Sequence, residues 1–158
     1  MTIDDFKALM DGFDPASLLP ELDTLIGKLA LVARIAVLIG PVMLLVMGLL
    51  YFFASPKEAN YHFGYRCYYG MGSVQAWQFT QHLAGIVWGA LGLILGIVML
   101  LISGSFAQME TMDLLWRAVY CVAWEAGLAA AACIGVNTVA AIRYDSKGAL
   151  RRRKNRRT

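Results

Sequence analysis

Three long apolar runs separated by polar stretches organise this chain. The first, Leu29 to Ala54, carries one charge, Arg34. The second, Leu83 to Ser103, carries none, and the third, about Ala118 to Ile142, carries Glu125. At 1.5 Å per residue the first run reaches about 39 Å, enough to cross a hydrocarbon core of roughly 30 Å with tilt. Each run therefore predicts a transmembrane helix. The fold class expected is all-α, an integral membrane bundle with three spans (about 29–54, 83–103 and 118–142).

Smaller signals refine these elements. Pro20 with Glu21 and Asp23 makes a good helix start, because proline suits the first turn and the acids oppose its partial positive charge. Gly40-Pro41 predicts a kink inside the first span. Ser73 is a fair N-cap for a helix running through Ala76, Trp77 and Phe79 into the second span, with Trp77 at the headgroup level. Tyr51, Phe52 and Phe53 read as an aromatic belt. Gly85, Gly89, Gly92 and Gly96 fall on one narrow stripe, which lets another helix approach closely. Gly127, Ala131, Gly135 and Thr138 form a second small-residue face, and the two faces are expected to pack together. Before the spans, Ile3, Phe6, Leu9, Met10 and Phe13 recur at helical spacing and predict a short amphipathic helix on the membrane surface.

Composition agrees with a bilayer. The 158 residues are 59% hydrophobic and 16% charged, against about a quarter charged in soluble domains. The net charge of +3 conceals a segregation. Residues 1–28 hold six acids (Asp4, Asp5, Asp11, Asp14, Glu21, Asp23), whereas residues 143–158 hold eight basic side chains against Asp145 alone. Lys and Arg beside a span mark its cytoplasmic end. The basic tail, residues 143–158, is thus read as cytoplasmic. Three spans then place the acidic segment 1–28 outside and the polar segment 55–82 inside. The acidic start also argues against a cleavable signal peptide, which would begin basic. Following a span directly, the basic tail reads as a topogenic and lipid-binding feature, with no direct nucleic-acid binding.

Candidate chemistry is sparse. No GxSxG, HExxH or P-loop pattern occurs, so no enzyme is expected. His62, Cys67 and His82 match no standard metal spacing, and three cysteines cannot all pair. No metal or cofactor is expected. Inside the spans, Arg34 precedes Phe53 by 19 residues and Glu125 precedes Arg143 by 18. Measured from the span ends they share a height, so an ion pair is one expectation; separate access of each to the outer interface is the other.

The segment between the first two spans carries a resemblance. Asn60-x-x-x-Gly64-x-Arg66, then Ser73-x-x-Ala76-Trp77-x-Phe79, with Gly85 opening a span, resembles the SdpI family signature. The tail Tyr144-Asp145-Ser146-Lys147-Gly148 is similar to that family's F-D-x-x-G ending. Cys67 stands where the family often has threonine, and Gln75 where an acid is common. The resemblance implies a multi-pass protein of the bacterial cell membrane, acting in immunity to a peptide toxin or in signalling through a cytoplasmic regulator. It assigns partner binding to Asn60, Gly64, Arg66 and Trp77. Asn60 and Gly64 would fix the turn, Trp77 would anchor the next helix, and Arg66 would meet an acidic partner or headgroup. The alternative from another class is a small transporter component, a homo-oligomer with a pathway lined by Arg34, Glu125 and Asn137.

Overall fold

A computed structural model describes residues 19–59 and 63–151. Among them are three long helices: α1 (Leu19–Phe53), α2 (Val74–Ser103) and α3 (Thr111–Arg143). All three are long and apolar enough to cross a membrane. The all-α three-helix architecture expected from the apolar runs is the observed one. The surface-helix expectation for Ile3 to Phe13, the run Arg152–Arg157, Asn60 and His62 all lie outside the described residues.

Each helix is longer than its apolar run, for a local reason. The chain enters α1 at Leu19-Pro20, where the missing proline N–H costs no helix bond. α1 then continues through Pro41, whose ring is fully buried. α2 begins at the expected cap: Ser73 Oγ accepts the Ala76 N–H at 3.1 Å. Short 3-10 turns occupy Gly70–Gly72 before α2 and Phe106–Gln108 after it.

The glycine stripe of α2 does pack a helix, and that helix is α1. A Cβ added to Gly85 would lie 2.8 Å from both Cβ and backbone N of Phe52. One added to Gly92 would lie 2.8 Å from Leu45 Cα and Pro41 O. Gly89 and Gly96 are less demanding, since their added Cβ atoms would stand 4.0 Å from Gly48 Cα and 3.8 Å from Pro41 Cβ. The counterpart that the spacing did not single out is Gly48, where a Cβ would come within 2.5 Å of Gly89 Cα. Two backbones meet there, which only small residues permit.

The expected partnership between this stripe and α3 is therefore wrong. Gly127 and Gly135 would meet nothing within 4 Å, and Ala131 and Thr138 are exposed. α3 turns a different face inward, carrying Leu114, Cys121, Glu125, Val136 and Ala140. Toward its N-terminal end, Leu114 and Cys121 join Ala30, Ala33, Val37, Met99 and Phe106 in one apolar cluster. Toward its C-terminal end, Val136 and Ala140 join Tyr51, Tyr65, Cys67 and Ala84 in another. Tyr51 is thus a core residue and no belt residue: its ring stands edge-on to Tyr65 and Trp88. Of the expected belt, Phe53 remains fully outward.

Candidate functional site: a polar cap over one end of the bundle

Residues 54–59 and 63–73, and residues 144–151 after α3, meet at the same end of the bundle and form a cap. Its centre is Gln81, fully buried on the first turns of α2. The Gln81 amide donates to the Tyr65 carbonyl at 2.7 Å, and its Oε1 accepts the Tyr65 N–H at 2.8 Å. One side chain thereby satisfies both backbone groups of a residue that no strand or helix supplies. Leaving such groups buried and unpaired would cost about 1–3 kcal/mol each.

Trp77 lies one turn earlier on the same face and is fully buried. Its indole N–H donates to the Pro56 carbonyl at 2.8 Å, tying the exit of α1 to the entry of α2. The ring is enclosed by protein and does not face the headgroups as expected. Gly64 packs against it with φ +121°, and a Cβ there would lie 2.6 Å from the ring's Cζ2. Both the backbone conformation and the space require glycine.

Tyr65 carries the cap across to α3. Its hydroxyl is 3.2 Å from the Cys133 carbonyl and 3.1 Å from Asn137 Oδ1, either of which can accept its proton. Burial, with the neighbouring Cys133 adding to it, raises the phenol well above its ordinary value of 10.0. The hydroxyl therefore stays a donor. Cys67 turns the next residues: its Sγ accepts the Gly70 N–H at 3.2 Å and its carbonyl the Met71 N–H.

The tail closes the cap. Asp145 Oδ1 accepts the N–H groups of Lys147 and Ala149, at 2.9 and 2.8 Å, and so shapes a tight turn. Gly148 takes φ +73° at that turn. Its carbonyl receives the Ser73 hydroxyl at 2.7 Å, the same hydroxyl oxygen that caps α2. Tyr144 and Arg143 both pack on the Phe79 ring, the latter with its guanidinium 4.3 Å from the centroid. The aspartate and glycine spacing of the tail and the Ser73 to Phe79 spacing of the central segment are two halves of one structure.

The site residues read from the sequence divide accordingly. Gly64 and Trp77 are inside the cap, where they hold its shape. Arg66 is exposed on its surface. It borders a cleft of about 570 Å³ with Tyr68, Tyr69, Asn137 and Thr138. Lys57, Arg143, Lys147 and Arg151 are also exposed at this end. Sequence reasoning passed over Gln81, read Tyr65 only as one of several interfacial tyrosines, and met Gly148 only in the tail's resemblance. The available signal was that, among the polar residues opening α2 (Gln75, Gln78, Thr80, Gln81, His82), Gln81 follows Trp77 by four positions and so shares its face.

Arg34 and Glu125 are not brought together. Glu125 stands against Gly40, where any Cβ would collide with its Oε2. Arg34 lies six residues before Gly40, about 9 Å along the helix. It is exposed and borders a small pocket with Ser103, Gly104 and Phe106, at the end away from the cap. Equal heights assumed level helix ends, whereas α3 projects further than α1 at the capped end.

A model of the SdpI/YfhL protein family matches residues 57–141, more than half of the chain. The match takes in the central segment of the cap and ends just before Tyr144, where the docked tail begins. No curated protein and no solved structure matches the chain. The family model alone is sufficient: the chain belongs to the SdpI/YfhL family.

Proposed function

From membership of this family, we propose that the chain is a membrane immunity or signalling protein that binds a peptide or protein partner on its cap. The role is binding rather than catalysis. The observation that supports it most directly is the division of labour among the motif residues. Gly64, Ser73 and Trp77 hold the cap together, joined by Gln81 from outside the motif, and Arg66 lies exposed on the cap surface beside Tyr68.

The surface so built suits an anionic partner. Five exposed basic residues (Lys57, Arg66, Arg143, Lys147, Arg151) surround the cleft end of the bundle. Of the two acids at this end, Asp145 is occupied by its own turn and Glu58 is exposed beside Lys57, so the basic residues predominate. Clustered Lys and Arg beside spans also favour the cytoplasmic side for the cap. An acidic segment of a cytoplasmic regulator, or of a toxin that has entered the membrane, fits that charge.

Growth under toxin tests the reading. Cells lacking the gene, challenged with supernatant from a producing culture, should be rescued by the wild-type chain. Arg66→Glu with Tyr68→Ala should fail to rescue at an equal membrane level of protein. Trp77→Ala should fail for a different reason, with little folded protein present, because truncating a buried tryptophan costs about 3–5 kcal/mol. Full protection by the Arg66/Tyr68 variant would remove the cap surface from the function.

A further inference from the structure

Two buried polar atoms inside the membrane span have no hydrogen-bond partner among the described residues, Glu125 Oε1 and Trp88 Nε1. They belong to different helices and border one groove of about 390 Å³ between α1 and α3. Its remaining walls include Gly40, Met43, Met47, Val122 and Ala126, which are apolar. Met43 is 56% exposed, so the groove opens sideways toward the lipid. Glu125 is only 5% exposed and sits mid-helix, 18 residues before the end of α3.

The chemistry of the groove is specific. A carboxylate held in hydrocarbon is costly unless a cation or a donor meets it. An indole N–H is a donor only, and needs an acceptor. The rings of Tyr51 and Tyr65 stand edge-on to Trp88 at 5.7 and 5.8 Å and pack against the indole ring. Gly40 leaves the room that the carboxyl group occupies. A donor and an acceptor thus lie unpaired, themselves buried in the wall of a groove that is otherwise greasy and reachable from the bilayer, and turns of the two side chains would present them to a ligand there.

We propose that this groove is a binding site for a lipophilic amine carrying a hydroxyl or carbonyl oxygen beside its nitrogen. The ammonium meets Glu125, where low dielectric strengthens the attraction. The oxygen accepts from Trp88, and the alkyl chain lies along Met43 and Met47. A diol of the same length offers the carboxylate only a neutral hydroxyl donor, and a fatty acid offers it a like charge. The site is separate from the cap surface, and its ligand need not be the partner that docks there.

The full chain in phosphatidylcholine bilayers, with Trp116→Phe and Trp124→Phe to remove two exposed indoles, allows a direct test. The probe is a dodecyl amino alcohol brominated on its tail, which quenches a nearby indole. Controls are the matching brominated diol and the N-acetylated amino alcohol, which keeps the oxygen and loses the charge. Quenching by the amino alcohol should saturate, at a mole fraction about tenfold lower than for either control. Glu125→Gln should erase that difference. Equal quenching by all three probes, or an undiminished preference in folded Glu125→Gln protein, would overturn the site. If Glu125→Gln does not fold, the three-probe result on the wild-type groove still decides.

Discussion

The α1–α2 seam and the attachment of α3 lie in the same apolar surroundings and are built on opposite terms. Along the seam, Gly48, Gly85 and Gly92 remove side chains so that two backbones touch over much of their length. Lipid offers no hydrophobic drive for helix association, so this close van der Waals fit has to supply it. α3 has its own small-residue face, yet that face looks outward. It is held instead at two places: an apolar cluster around Leu114 and Phe106, and the polar cap around Tyr65 and Ser73. Between those fastenings Glu125 meets Gly40 of α1, and beside that contact the helices leave the Glu125 groove. The closely packed α1–α2 seam carries a smaller groove, about 280 Å³, along Pro41, Leu45, Gly92 and Gly96.

Substitutions should separate the two modes of attachment. Gly92→Val should have the largest effect, about 3 kcal/mol or more, because the added atoms meet the backbone of Leu45 and Pro41, which cannot yield. Gly127→Val on the outward face of α3 should stay within about 0.5 kcal/mol. Thermal unfolding of both variants in one detergent measures the contrast. Equal losses would mean that α3 also packs through its small face. Next comes Gln81→Leu, which strands the N–H and C=O of Tyr65 and should cost about 2 kcal/mol. Its mark would be selective: faster hydrogen exchange across 63–72 and 144–150, with the α1–α2 seam still protected.

The smallest effect concerns pH. The Tyr65 phenol is raised in the folded protein, so above its ordinary 10.0 the unfolded chain loses a proton that the folded chain keeps. Stability should therefore be level below about pH 10 and decline above it. Tyr65→Phe should flatten that decline while lowering stability at neutral pH by about 1 kcal/mol. An unchanged alkaline slope in the variant would assign the effect to another group.

Much of this architecture was legible along the chain. Hydrophobic run length fixes the number of helices, since a segment that must satisfy its own backbone in lipid has to be helical. Ser73 could be recognised as a cap from its neighbours, and the α2 glycines as a packing face from their spacing. Gly64 and Trp77 could be marked as motif residues. These are properties of a residue and its near neighbours, and they need no knowledge of where other helices lie.

Partnership was another matter. Spacing shows that Gly85 and Gly92 accept a helix but not which one, because small faces on α1 and α3 look alike in one dimension. The helix bearing Gly48 takes the place, and the face of Gly127 and Gly135 is left outward. Relative height fails for the same reason: the span ends put Arg34 and Glu125 level, but the cap sets the register of α3 and brings Glu125 beside Gly40. Gln81 clamping Tyr65, and Ser73 donating to the Gly148 carbonyl, join residues 16 and 75 positions apart. Local chemistry made each of these residues a competent donor, acceptor or turn. Only the packed arrangement of the three helices selected which of them meet.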